Sequence, residues 1–182
     1  IVTDDRLQEV PKAGRSWVVH WSGCEFLTHS NPETVRAVAQ KHSVDPFVVE
    51  MHTKNGLWRE SAERGLHFAQ VDRELAAFIR EHAAALGCVV GEKTGPQLAG
   101  NTISFDKAFL KEDMPETFAL LHYRNLDVTA LNEMARRFWP ELHAARPRAA
   151  KEAARHRAET DVQESLDLAR YYAARLVPIN HP

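Results

Sequence analysis

One apolar stripe constrains this chain more than any other feature. From about Gln70 to Leu86, Val71, Leu75, Phe78, Ile79 and Leu86 recur at helical spacing, and Gly87 closes the run. Residues three and four apart share one face of a helix, so this segment reads as a central amphipathic helix. Such a helix has to lay its stripe against another element. Downstream the period changes. Cys88–Val90 and Gln97–Ile103 read as short strand pieces around a Gly/Pro turn at 91–96, and Leu120–Val128 reads as a strand. Strand pieces interleaved with helices make the fold α/β.

The flanking segments fit that order. Residues 5–15 are polar, with Pro11 and Gly14, and form a turn region; Ser16–Phe26, rich in Trp, Val and Phe, reads as a strand or hairpin. Ser30-Asn31-Pro32-Glu33 starts a helix that runs to about Ser43, and Pro46 opens a shorter one, Phe47–Lys54, stopped near Asn55-Gly56. Phe105–Asp113 reads as a helix ended before Pro115, and Thr129 as the cap of a helix that reaches Trp139 and stops at Pro140. The last helix spans about Arg157–Leu176. Val162, Leu166, Ala169, Tyr172 and Leu176 share one of its faces, and Asp161 lies at that face's edge. No internal repeat or linker divides the chain, and 182 residues suit one domain.

Charge narrows the function. The formal net charge is −2, whereas a protein that tracks long nucleic acid is usually basic. If nucleic acid is the partner, a pocket for a short piece fits better than a long groove. Two cysteines, Cys24 and Cys88, lack CxxC spacing, which argues against a disulfide framework or a thiolate zinc site and makes cytoplasmic the default location. No stretch approaches the ~20 apolar residues of a membrane span, so no membrane partner is expected.

Three stretches carry chemistry. Gly100-Asn101-Thr102-Ile103-Ser104-Phe105-Asp106 sets a carboxylate just past a strand-like run. His122-Tyr123-Arg124-Asn125-Leu126-Asp127-Val128-Thr129 combines an imidazole, an aromatic ring and a guanidinium able to grip phosphate oxygens in a fork. His156-Arg157-Ala158-Glu159-Thr160-Asp161 places an imidazole and a carboxylate at a loop-to-helix junction. Carboxylates from separate elements bind hard divalent cations through oxygen, and a neighbouring histidine can accept a proton from attacking water. Each stretch alone has a plainer reading. Asp161 is also a first-turn helix acid, Asp106 an early-turn one, and His156 one of ten histidines. Their order along the chain favours the chemical reading. Residues 142–155 read as a basic loop, more often solvated than nucleic-acid-bound.

In this order the stretches resemble oligoribonuclease, a DEDDh-type 3′-to-5′ exoribonuclease family. The resemblance runs from Ile1-Val2-Thr3-Asp4 to the helix of Tyr171-Tyr172 and includes Met51-His52-Thr53-Lys54-Asn55-Gly56-Leu57. It implies a ribonuclease H-like mixed sheet flanked by helices, a two-metal site for Mg²⁺ or Mn²⁺, and a homodimer. The implied reaction releases 5′-mononucleotides from very short RNA, dinucleotides especially. Residue by residue, Asp106 and Asp161 match two of four metal carboxylates, and His156 matches the general base. Thr102, Arg124 and Thr129 match positions that cap the 5′ phosphate of a dinucleotide, with His52 near the same phosphate. Tyr123 matches a tyrosine offered across the dimer interface to the partner's active site, and Phe47 an aromatic that stacks on a base.

The family's first motif, Asp-x-Glu on an opening strand, precedes the Val2-Thr3-Asp4 match, and Asp4 and Asp5 correspond to a later turn. The expectation is a single exonuclease domain over 1–182 that is N-terminally incomplete, lacks its first strand and has little activity by itself. Two other readings stay open here. One is a nuclease-dead ribonuclease H-like module that binds nucleotides or proteins. The other is a DEDDh exonuclease acting on longer DNA or RNA, against which the His122-Tyr123-Arg124 stretch and the lack of a basic track both count.

Overall fold

A computed structural model describes residues 1–21, 32–147 and 157–176. The helix that the apolar stripe predicts is present and is called α4 below. Ahead of it lie α1 (Pro32–Lys41), α2 (Pro46–Lys54) and α3 (Leu57–Arg64), and α4 itself covers Phe68–Ala85. Then come β1 (Leu98–Gly100), α5 (Ser104–Asp113), α6 (Pro115–Phe118) and β2 (Asn125–Asp127). The chain continues as α7 (Val128–Phe138), α8 (Pro140–Ala144) and α9 (Ala158–Leu176). The fold is α/β, rich in helix around a small parallel sheet. β1 and β2 run side by side with Leu98 opposite Asn125, Ala99 opposite Leu126 and Gly100 opposite Asp127. Parallel neighbours need a crossover, and α5 with α6 provides it.

Two apolar clusters hold the helices. Ala135 of α7 packs with Tyr171 and Tyr172 of α9, and Leu131, Leu142 and Leu168 close around them. Both phenols are satisfied as they are buried. Tyr171 Oη donates to the Leu142 carbonyl at 2.8 Å, and Tyr172 Oη to Asn132 Oδ1 at 2.8 Å. The other cluster joins Ala39 of α1 to Val49 of α2, with Trp21, Val44 and Trp58 against them. The N-terminal loop docks on α9, where Arg170 Nε donates to the Leu7 carbonyl at 2.9 Å.

Several expected elements come out differently. Cys88–Val90 is not a strand. Gly87 turns the chain with φ +68°, and Cys88 N donates back to the Ala83 carbonyl at 2.8 Å, so the segment closes the end of α4. Of Leu120–Val128, only 125–127 pair as a strand. Ahead of them, His122 N donates to the Pro96 carbonyl and Tyr123 N to the Glu92 carbonyl, which fixes an irregular turn. α3, α6 and α8 answer to no expectation; each is short, α3 following Gly56 and the other two opening on Pro115 and Pro140, which read as helix stops in the sequence. Within the described part of Ser16–Phe26 there is one bridge, Val19 to Leu66. Gly65 lets that bridge form, because a Cβ there would fall 2.7 Å from the His20 backbone. Residues 22–26, the Ser30-Asn31 helix start and 148–155 of the basic loop lie outside the described residues. Among the described residues no helix is long and apolar enough to cross a membrane.

A buried carboxylate links α4 to the crossover. Asp72, 4% exposed, accepts from Glu116 N at 3.0 Å and Thr117 N at 2.8 Å, while its own carbonyl accepts from Thr117 Oγ1 at 3.2 Å. It thus caps α6 from another helix. Asp72→Ala leaves two amide donors without acceptors and is expected to cost about 2–4 kcal/mol, read by urea denaturation. A loss under about 0.5 kcal/mol would show that water replaces the carboxylate.

Candidate active site

Asp127 organises the polar end of the sheet. It is the last residue of β2 and the N-cap of α7, where its Oδ1 accepts from Thr129 N at 2.9 Å. The same oxygen accepts from Thr102 N at 3.1 Å, in the turn that follows β1. Thr102 has φ +54°, a left-handed conformation that costs a β-branched residue, and the bond to Asp127 holds it there. The two threonine hydroxyls then stand 3.0 Å apart. The cap of α7 is therefore Asp127 and not Thr129, because an extended residue at the strand's end aims a short carboxylate at the amide two residues on.

The same turn delivers Asp106 to the first turn of α5, exposed to solvent. Asp161 lies in the first turn of α9, likewise exposed, and its amide donates to the Arg157 carbonyl at 3.0 Å. Both carboxylates line one cavity of about 790 Å³. Its lining is largely apolar and includes Leu98, Leu126, Val128 and Leu166, with Ile1 and Leu7 of the N-terminal segment. Asp106 and Asp161 are thus brought to one space from separate elements. Among the described residues no three His, Cys, Asp or Glu side chains are grouped closely enough to hold a metal ion by themselves. Two carboxylates nonetheless suit Mg²⁺, which is commonly held by one or two of them, with phosphate and water completing the shell. His156 lies outside the described residues.

Arg124 and Tyr123 form a second, more open concavity of about 470 Å³ with His122, Glu92 and Lys93. His122 Nδ1 accepts from Arg124 N at 2.9 Å, and its ring stacks on Tyr123 at 4.7 Å. Arg124 lies over the other ring, 5.2 Å from the Tyr123 centroid. Lys107 Nζ secures the turn by donating to the Tyr123 carbonyl at 2.6 Å and to Asn125 Oδ1 at 3.0 Å. Tyr123 remains half exposed. The remaining two expected positions stand on α2. His52 is half-buried, edge-on to Trp58 at 5.2 Å, and Phe47 is exposed. Neither lines the cavity of the two carboxylates.

This geometry belongs to a recognisable sequence. Residues 23–169 match the family described as exonuclease, of the RNase T type. Similar relatives are oligoribonucleases. That of Rhodococcus jostii is 31% identical over 150 residues, covering 82% of this chain and 67% of its own. That of Cutibacterium acnes is 36% identical over 129 residues, covering 71% of this chain and 58% of its own. That of Nocardia farcinica is 32% identical over 150 residues, covering 82% and 62%.

The chain belongs to the oligoribonuclease-like exonuclease family.

Against these three relatives the match spans between 58% and 67% of their own lengths. The sequence reading singled out Asp106, Asp161 and the two threonines, but not the residues that arrange them. Asp127 was missed as the cap in favour of Thr129, although the Asp-x-Thr order ahead of α7 is a signal that could have found it. The pairing of Glu60 with Arg157 had no such signal, since the two are far apart in sequence. Arg157 Nη2 donates to Glu60 Oε2 at 2.5 Å, and Arg64 bonds the other Glu60 oxygen, so α3 grips the residue next to His156. The side chain of Glu60 is only 14% exposed.

Two measurements follow from these contacts. Asp127→Ala removes the α7 cap and the support of Thr102 together and should lower stability by about 1–2 kcal/mol, whereas Asp127→Asn, which keeps an acceptor oxygen, should lose less. Equal losses in thermal melts would contradict the double cap. Glu60 carries the second. The Arg157 hydrogen bond, with Arg64 beside it, holds its carboxyl below the ordinary glutamate range. A lowered folded pKa means that the pair's stabilisation is complete above the unfolded value and fades as pH falls through the lowered, folded one. Glu60→Gln lacks that contribution at every pH, so its stability should fall less steeply than wild type on the acid side. Parallel acid limbs would refute the coupling.

Proposed function

We propose that this chain is the exonuclease domain of a 3′-to-5′ exoribonuclease that reduces very short RNA, dinucleotides especially, to 5′-mononucleotides. The observation that carries it is the convergence of Asp106 and Asp161 on one cavity in a chain of the oligoribonuclease-like family. Asp106 and Asp161 would hold Mg²⁺ or Mn²⁺ through oxygen. When bound, such a pair of ions offsets charge on the attacking and leaving oxygens of the phosphodiester. His156 takes the proton from the attacking water, whose oxygen bonds to phosphorus as the bond to the 3′ oxygen breaks.

The paired hydroxyls of Thr102 and Thr129 cap the terminal 5′ phosphate; the family resemblance adds Arg124 and His52 to that cap, whereas here Arg124 lies in the neighbouring concavity and His52 stands on α2 against Trp58. A chain blocked at that phosphate would have no room for further nucleotides, which selects short substrates. Phe47 offers a face for base stacking. Tyr123, half exposed and fixed between His122 and Arg124, is suited to reach a partner's site in a homodimer. The net charge of −2 fits a short ligand better than a long track, and the cysteine usage fits the cytoplasm.

The test compares a 5′-labelled RNA dinucleotide with an RNA of about twenty nucleotides, in Mg²⁺, using the intact protein. The dinucleotide should be cut to mononucleotides at the higher kcat/KM. His156→Ala should lower kcat by about 10²–10⁴, and Asp106→Asn or Asp161→Asn should abolish cutting. Cleavage that survives both carboxylate substitutions, or that favours the longer RNA, would overturn the proposal.

A further inference from the structure

The two cavity carboxylates sit on elements that the backbone does not join. Among the described residues, no backbone–backbone hydrogen bond outside helices and strands runs from 98–106 to α9. A side-chain relay does instead. Asn101 Nδ2 donates to Ser165 Oγ at 2.9 Å, and Ser165 Oγ donates to the Asp161 carbonyl at 2.8 Å. Ser165 is buried, so its one proton and its acceptor lone pair are both committed. Asn101 is exposed and opens the turn whose next residue, Thr102, is pinned to Asp127.

We propose that Asn101 and Ser165 are positioning residues whose relay sets the spacing of Asp106 and Asp161, and so the strength of divalent-cation binding between them. The turn is fixed on one side by Asp127 and on the other by Ser165. Through it, the first turn of α5 is registered against the first turn of α9. A serine that bonds back to the carbonyl four residues earlier is common within helices and by itself does nothing for a distant element. The bond from Asn101 turns that local contact into a tie between the carboxylate-bearing helices. The inference rests on reading these two acids as the metal carboxylates.

The experiment measures Mn²⁺ binding to the intact protein by electron paramagnetic resonance, beside thermal melts and kcat as a function of Mn²⁺. Groups that orient ligands typically govern about 10–100-fold of metal affinity. Asn101→Ala and Ser165→Ala should each weaken Mn²⁺ binding by about tenfold. The double variant should be little worse than either, since the two act as one unit. Activity should return at high Mn²⁺, and Ser165→Thr, which keeps the hydroxyl, should restore affinity. Asp72→Asn serves as a destabilised control whose affinity should not change.

Wild-type affinity in Asn101→Ala overturns the relay, and because Asn101 is exposed this arm stands even where Ser165→Ala folds badly. Loss in Asp72→Asn equal to that in the relay variants overturns it too. Mn²⁺ binding that is insensitive to both Asp106→Asn and Asp161→Asn would instead defeat the reading of the acids, and the relay with it. Insensitivity of Asn101→Ala alone removes only the relay.

Discussion

The carboxylate of Asp127 is the contact on which the polar end of this molecule depends. One oxygen satisfies an amide at the start of α7 and an amide in the turn after β1. The two strands run parallel, so their C-terminal ends lie side by side and open on the same edge. An acceptor at the end of one is then within reach of the chain leaving the other. Hydrogen bonds to an ionised acceptor are stronger than neutral ones, and here they hold Thr102 in a conformation it would not otherwise choose. The close approach of the two threonine hydroxyls follows. This is where ligands commonly bind in open α/β folds, outside the carboxyl ends of strands.

Around that anchor the site is an assembly of helix starts. Asp106 and Asp161 each occupy the first turn of a helix, where the dipole favours a negative charge. Their cavity has a largely apolar lining to which both strands and α9 contribute. Both acids stay open to solvent at the mouth of that cavity. Farther out, Glu60 reaches from α3 to Arg157, and Ser165 reaches from α9 to Asn101. The start of α9 is therefore set from two directions by polar side chains and not by packing alone.

Much of this was legible in the chain of letters. The helical period over 70–86 gives α4 nearly to its ends, because apolar spacing is a local property that tertiary contacts reinforce. The run from Phe105 to Asp113 and the last helix are legible for the same reason. Strands were harder. Leu120 and Leu121 are buried and apolar, as in a strand, yet their amides bond back to the Thr117 and Phe118 carbonyls, and the Leu120 carbonyl and the next two amides go to residues 91–96. Apolar runs report burial, and burial does not require pairing. Of the candidate site, the acids and the threonines were visible as chemistry, whereas Asn101 and Ser165 look like ordinary polar residues.

By itself the sequence determined the α/β class, the family, and which oxygens and cations are available for chemistry, since those depend on residue type and short-range order. The tertiary structure alone decided which of them meet. It brings Asp106 and Asp161 to a shared cavity and Thr102 to Thr129, and it places Arg124 with Tyr123 in a separate concavity. It also appoints the residues that hold them, Asp127, Ser165 and Glu60, through bonds that span the chain. The physical reason is that a side chain's partners are chosen by distance in space. Only the crossover between two parallel strands, and the docking of α9 beside them, sets that distance.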